Sequence, residues 1–254
     1  MIQRTALLCV LALAGCATGT GGEPPDYAAI VASPDRTEAD RQTDIRRKPE
    51  RLLAFAGVRR GMKVLDMGAG AGYSTELLAR AVGPRGRIYA QESPAGSARA
   101  RERFDERART PAMQNVVRVL RDYDDPVPPD ARDLDLVTFF FAYHDTTFMP
   151  VDRAKMNRAL FDALKPGGVL AVTDHSAQPG AGTSVAKTLH RIEESTLRRE
   201  IEAAGFKLVE EGDFLRNPAD MRDAPVFRPQ TPVDEFALKF MKPAERRPAE
   251  GATM

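Results

Sequence analysis

Apolar positions along this chain fall into short runs, separated by charged stretches with helical spacing. Residues 64–65, 87–91, 116–120, 134–142, 169–173 and 206–209 read as strands one to six. Between them, residues 73–82 place Leu77, Leu78, Ala81 and Val82 on one helical face. Residues 151–164 do the same with Met156, Leu160, Ala163 and Leu164. Residues 93–109 read as a charged, solvated helix, 195–204 as a helix stopped by Gly205, and 49–57 as a helix opened by Pro49 and closed by Gly57. Phe236, Leu238 and Phe240 alternate with Ala237 and Lys239, the pattern of a half-buried seventh strand. Strand four is almost wholly apolar, as the centre of a parallel sheet covered on both faces must be. Strands alternating with helices predict an α/β fold with a doubly wound, mostly parallel, seven-stranded sheet. Pro218, Pro225, Pro229 and Pro232 leave no room for a crossover helix before strand seven, so the last strand is expected to return antiparallel.

The N-terminus has a different pattern. Arg4 precedes the apolar run 6–14, which is shorter than the roughly 20 residues a bilayer span needs. This is the layout of an export signal. Residues 13–16, Leu-Ala-Gly-Cys, resemble the lipobox of bacterial lipoproteins. That resemblance implies removal of residues 1–15, a lipid on Cys16 as the membrane attachment and, with Ala17 following, a periplasmic location at the outer membrane. Residues 16–34 are expected to be a flexible tether, 35–242 the folded domain and 243–254 a disordered tail. The chain has two cysteines, Cys9 and Cys16, so the domain itself carries no disulfide and no thiolate metal site. A net charge of +1, without a basic stripe, gives no reason to expect a nucleic-acid groove.

The chemistry concentrates at predicted strand ends. Residues 64–75, VLDMGAGAGYST, put Asp66 before a turn bearing Gly68, Gly70 and Gly72. A dinucleotide fingerprint would continue G-x-G-x-x-G, but Tyr73 holds its third position, and no Gly-Lys-Ser/Thr follows as in a P-loop. A carboxylate at this place would repel a pyrophosphate and suit a ligand carrying an amino group or a sulfonium. Strand four runs into Tyr143-His144-Asp145 and strand five into Asp174-His175-Ser176. On neighbouring strands these groups would converge, either as acceptor chemistry or as caps for loop backbone. A metal site is not expected, because no local ligand spacing supports one.

These motifs resemble the class I methyltransferases that use S-adenosylmethionine (SAM). The glycine turn is similar to their first motif, Glu92 falls where the family's ribose-binding acid lies, and Asp122 where an acid stands near the adenine. LKPGGVLAVTD resembles their strand-five segment, and FFFAYHD and VTDHS resemble exported bacterial members. The resemblance implies SAM held by Asp66, Gly68, Ala69, Gly70, Gly72, Tyr73, Glu92 and Asp122. A small-molecule acceptor would be served by His144 as base or clamp, supported by Asp145, Asp174 and His175. The rival reading is an envelope lipoprotein that keeps the fold as a non-catalytic binding or scaffold module.

Overall fold

The computed structural model describes residues 22–227, 229 and 231–244. The export signal, Cys16 and most of the expected tail therefore lie outside the described residues. Seven strands form one sheet in the order β3-β2-β1-β4-β5-β7-β6. They are β1 (Lys63–Met67), β2 (Arg87–Glu92), β3 (Val116–Leu120), β4 (Leu134–Phe140), β5 (Leu164–His175), β6 (Lys207–Gly212) and β7 (Glu235–Met241). Strands β1 to β5 pair in parallel, and β7 inserts antiparallel between β5 and β6. The sheet is thus mostly parallel with an antiparallel last strand. No described helix is long and apolar enough to cross a membrane.

Two cores flank the sheet because its central strands alternate between two buried faces. On one face Leu65, Val137 and Phe139 pack with Met156 and Leu160 of α6 (Arg153–Ala163) and Leu197 and Ile201 of α8 (Glu194–Ala203). On the other, Val64, Ile88 and Leu136 meet α3 (Pro49–Ala56) and Leu77, Leu78 and Val82 of α4 (Tyr73–Val82). Each such side chain, fully buried, contributes about 1.5–3 kcal/mol of apolar transfer energy.

Four segments differ from expectation. The charged helix α5 spans Ala98–Ala108, because Ser97 caps it and Pro94 to Gly96 form the turn before it. β5 begins at Leu164 rather than at residue 169, so residues 165–168 belong to the strand. Gly167 takes φ +77° and the pairing with β4 shifts between Leu134 and Leu136, so the strand passes through an irregularity. β6 runs on through Glu210 and Glu211, whose charges suit a sheet edge. Within the expected tether, Tyr27–Val31 is helix α1, and the Tyr27 hydroxyl donates to the Val58 carbonyl at 2.6 Å.

Helix α2 (Glu38–Arg47) follows α1 and crosses the tips of β1 and β4, held there by charge. Arg107 of α5 donates in bidentate fashion to Asp40 of α2 (2.8 and 2.9 Å), binds Glu76 of α4, and reaches the Ala71 carbonyl at 3.1 Å. Arg36 forks onto Asp44 at 2.6 and 2.7 Å, and the Tyr73 hydroxyl donates to the same carboxylate at 2.6 Å. Asp40 and Glu76 are both buried. Removing Arg107 strands the buried Asp40 carboxylate without its paired cation, while Glu76 keeps its two bonds from Arg80 (2.7 and 2.9 Å); stranding one buried carboxylate costs several kcal/mol. Arg107→Met is expected to lower unfolding free energy by about 3–5 kcal/mol in urea titration, against less than about 1 kcal/mol for the exposed pair partner Arg158→Met.

Candidate functional site

β1 ends in a turn whose three glycines each occupy a left-handed conformation. At Gly68 (φ +64°) a Cβ would lie 2.9 Å from the Ala142 side chain and 3.1 Å from the Tyr123 hydroxyl, so backbone is all that fits there. The turn opens onto a cavity of about 270 Å³ between the tips of β1 and β4. It is lined by residues 66–71, Tyr73, Ser74, Phe140, Phe141, Ala142, Asp145 and, from α2, Arg47. A larger hollow of about 440 Å³ lies at the opposite end of the strands among Arg60, Arg80, Gly83 and Arg87. It contains none of the strand-end carboxylates or histidines.

Asp66 forms the cavity floor, but its carboxylate turns inward. It is 1% exposed, and its two oxygens accept from the hydroxyls of Thr75 (2.6 Å) and Thr138 (2.8 Å). Burial raises its pKa to about 6, against the pull of those two hydrogen bonds and of Arg47. The expectation of an open carboxylate selecting a cation is corrected accordingly. Asp66 first secures the start of α4 to β4, and only its remaining lone pairs are available to a ligand. The cationic side chain in the cavity lining is Arg47. Its guanidinium lies over the rings of Phe141 (4.6 Å) and Tyr73 (5.1 Å), with Ser74 Oγ 3.5 Å from one terminal nitrogen and its Nε buried without a partner. Burial, then repulsion by Arg46, lowers its pKa to about 10.

Gly68, Ala69, Gly70 and Tyr73 line the cavity; Gly72, Glu92 and Asp122 do not. Gly72 is a packing residue instead, for a Cβ there would lie 3.0 Å from both Phe104 and Arg107. Glu92 is 6% exposed and tucked against Arg118 at 3.5 Å, with burial raising its pKa. Asp122 points into solvent beyond β3. Tyr73 offers the cavity its ring, since its hydroxyl is committed to Asp44.

The second group assembles where Asp145 borders the same cavity. After β4, Phe141 (φ +58°) turns the chain into a 3₁₀ turn at His144–Thr147. Tyr143 anchors that turn by donating to Glu200 and accepting from Asn157, both at 2.8 Å. Asp174, fully buried at the end of β5, accepts from the backbone N–H of His144 (2.8 Å), from its Nδ1–H (2.7 Å) and from the His175 N–H (2.8 Å). His144 Nε2 then lies 3.2 Å from Asp145 Oδ1 and 3.2 Å from His190 Nδ1. Desolvation opposes the imidazolium, yet Asp174 and Asp145 outweigh it and push the His144 pKa up to about 10. A base is therefore not what His144 offers at neutral pH; it is a donor. His190 is held below its ordinary value by burial and by the charge of His144, so it stays neutral. His175 faces elsewhere: its Nδ1 is 2.9 Å from Glu235 Oε1, without hydrogen-bond alignment, and its ring is 5.4 Å from that of Phe141.

Arg47 escaped the sequence reading, and His190 entered it only as the first residue of a segment, 190–194, that could cover the acceptor pocket. Residues 175–177 pair with 190–192 through an isolated parallel bridge, Ser176 to Ile192, and this swings His190 back over β4. Arg191, beside it, is 1% exposed and bound to Asp220 and to the carbonyls of Ser176 and Ala224. The loop 177–185 is pinned, for Gly182 exchanges backbone and side-chain bonds with Glu193.

Residues 38–211 match a family described as a methyltransferase domain. A protein-L-isoaspartate O-methyltransferase of Ignicoccus hospitalis is 30% identical over 122 residues, 48% of this chain and 51% of that protein. A ubiquinone/menaquinone biosynthesis C-methyltransferase, UbiE, of Idiomarina loihiensis is 33% identical over 122 residues, 48% of this chain and 45% of its own. The matches thus span about half the length of these curated relatives. A SAM-dependent methyltransferase from Aquifex aeolicus superposes with a TM-score of 0.57 at 21% identity, over 85% of this chain and 98% of that one. A putative sarcosine dimethylglycine methyltransferase from Galdieria sulphuraria gives 0.59 at 19%, over 82% and 91%. The two structures share the fold. Because the family match takes in well over half of the sequence, including the glycine turn that walls the cavity, the chain belongs to the methyltransferase-domain family.

Proposed function

We propose that the protein transfers a methyl group from SAM to a small-molecule acceptor at the mouth of this cavity. One observation carries the reading: a glycine turn and an arginine with a free buried Nε enclose one end of a cavity whose other wall carries Asp145. The donor set fits SAM. Arg47 suits the ligand's carboxylate, the spare lone pairs of Asp66 its ammonium, and the bare backbone at Gly68 a close approach. At about 270 Å³ the cavity is near the small end of ligand pockets, sized for the amino-acid portion, which leaves the nucleoside to lie outward past Gly68. When bound, SAM supplies an electrophilic methyl on a sulfonium. The protein's part is to align an acceptor with that carbon, and positioning supplies much of the rate.

The acceptor side supports a compound with an apolar or ring-bearing body. The half-exposed ring of Phe148 and the exposed ring of Phe227 flank His190 at 5.9 and 4.6 Å. Asp145, which lines the cavity, and His190, 3.5 Å from it, offer one acidic and one neutral group. We also propose that the chain is exported and carries its lipid on Cys16, on the strength of residues 4–16.

Titration calorimetry of the full chain in detergent with SAM tests the enzyme reading. Binding is expected, with Arg47→Met weakening it about 10–100-fold, the worth of one charge-assisted hydrogen bond. A chain that binds no SAM at millimolar concentration would be a scaffold.

Asp66 adds a pH signature. Unfolded, the group titrates near 3.9; folded, it does so at about 6. Its folded pKa is raised, so its stabilising contribution is whole below about pH 4 and is lost as pH rises to about 6. Asp66→Asn is expected to remove that loss, leaving a variant about 2–3 kcal/mol more stable than wild type at pH 7 in urea unfolding, and a weaker SAM binder. Equal pH profiles for the two proteins would contradict this.

For export, globomycin, which blocks the lipoprotein signal peptidase, is expected to make a precursor accumulate in cells expressing the chain. Unchanged processing would exclude a lipid on Cys16.

A further inference from the structure

The chain has three histidines, and all of them lie at one strand end. Two of them, with one carboxylate, bring their ligand atoms into a small triangle. His144 Nε2 to Asp145 Oδ1 is 3.2 Å, His144 Nε2 to His190 Nδ1 is 3.2 Å, and His190 Nδ1 to Asp145 Oδ1 is 3.5 Å. A zinc ion holds nitrogen and oxygen ligands at about 2.0–2.1 Å, which in a tetrahedron spaces them about 3.3–3.4 Å apart. An octahedral face at the same radius spaces them about 2.8–3.0 Å apart. The observed edges therefore match the tetrahedral case.

We propose that His144, Asp145 and His190 form a three-ligand site for a divalent transition metal of the zinc class, with its fourth position left for a ligand from solvent or substrate. The groups that hold these ligands are arranged as metal-binding histidines require. Asp174 Oδ1 accepts from His144 Nδ1 at 2.7 Å, fixing the tautomer so that Nε2 points at the triangle, and the same carboxylate clamps the backbone N–H of His144. His190 is held in place by an unusual backbone, φ +53°, at the end of α7 (Ala186–Leu189). Non-glycine residues keep that conformation where the surroundings enforce it, and such positions cluster at functional sites. Two imidazoles and one carboxylate favour zinc, cobalt or nickel over magnesium or calcium, which take oxygen ligands. Asp145 and His190 are partly exposed, so an ion has a way in.

Asp145 also borders the cavity beside the glycine turn. A role in transfer rests on the methyltransferase reading above; the site itself does not. An acceptor hydroxyl bound at the open position would release its proton to solvent. Its oxygen would then form the new bond to the methyl carbon as the carbon–sulfur bond breaks, leaving S-adenosylhomocysteine as the neutral thioether. Metal binding likewise displaces the proton from His144 Nε2 to solvent.

The test uses the untagged full chain in detergent after dialysis against a chelator. Zinc chloride titrated calorimetrically is expected to fill one site with micromolar or tighter affinity. Cobalt(II) should give the intense visible bands of a tetrahedral ion, without the near-ultraviolet thiolate band that Cys9 or Cys16 would produce. His190→Asn, chosen because asparagine tolerates the left-handed backbone, should weaken binding at least 100-fold. Asp174→Asn, which touches no metal, should weaken it about 10–100-fold. Zinc affinity no better than millimolar, or unchanged in His190→Asn, would overturn the site. SAM titrations on the same variants separate the two proposals. Retained SAM binding certifies the fold of each variant, and zinc binding without SAM binding would sink the methyltransferase reading while leaving the metal site standing.

Discussion

A carboxylate buried under a glycine turn sets the geometry of everything around it. Asp66 sits at the end of β1 on the face that packs against α4, where an unsatisfied charge would cost more than the domain could tolerate. Thr138, its register partner on β4, and Thr75, in the first turn of α4, supply one hydroxyl each. The three side chains form a bolt through β1, β4 and α4. With that bolt in place the backbone between Met67 and Tyr73 has to leave the sheet steeply, and the three left-handed glycines make it possible. The cavity is the space this exit leaves open. A group with its pKa raised to about 6 by burial is also a group held at some cost in stability, as retained functional carboxylates often are.

The cover of the cavity is built by different forces. Helix α2 has little apolar surface, with Asp40 its one buried residue. Its position over the strand tips comes from Arg107 of α5, which holds Asp40, and Tyr73 of α4, which holds Asp44, while Arg36, just ahead of α2, forks back onto Asp44. These ties surround the last turn of the helix and aim Arg47 inward across Phe141. A cover held by ion pairs rather than by a hydrophobic seam can loosen without melting the core, which suits a lid that has to admit a ligand. Arg47 belongs to this lid and to the cavity at once, so filling its free Nε with a ligand carboxylate would also tighten the cover.

The sheet was legible in the sequence because burial on both faces writes itself as uninterrupted apolar runs, of which 134–142 is the plainest. The glycine turn was legible because left-handed backbone leaves few residue choices. The ends of α5 and β6 were less so: Pro94 to Ser97 form a turn inside a stretch that reads as helical charge, and an edge strand such as 207–212 shows no alternation. The site was half legible. His144 and Asp145 follow β4, Asp174 ends the neighbouring β5, and parallel pairing brings these three together, while His175 turns toward Glu235. Arg47 and His190 are separated from those strands by long stretches of chain. Arg47 depends on charge ties among residues 36, 40, 44 and 107, and His190 on a single bridge between Ser176 and Ile192. Neither connection leaves a periodic trace, and the missing local spacing that argued against a metal was real. The third ligand comes from a different part of the chain.

The two halves of the site share one wall, and this constrains the chemistry. Phe140, Phe141 and Ala142 leave the tip of β4 along the cavity, and two residues later His144 and Asp145 stand at its edge. Arg47 lies over the ring of Phe141 at one end of that wall. Asp174 fixes His144 from below, on the neighbouring strand β5. The distance between donor and acceptor is therefore set by two parallel strands and one left-handed residue, Phe141, rather than by a mobile loop. Methyl transfer needs the attacking atom in line with the carbon–sulfur bond, and an angular error is as costly as a distance error. A rigid shared wall meets that requirement with few moving parts. The rings of Phe148 and Phe227 lie outside that wall, against His190, and can vary without disturbing the alignment beneath them.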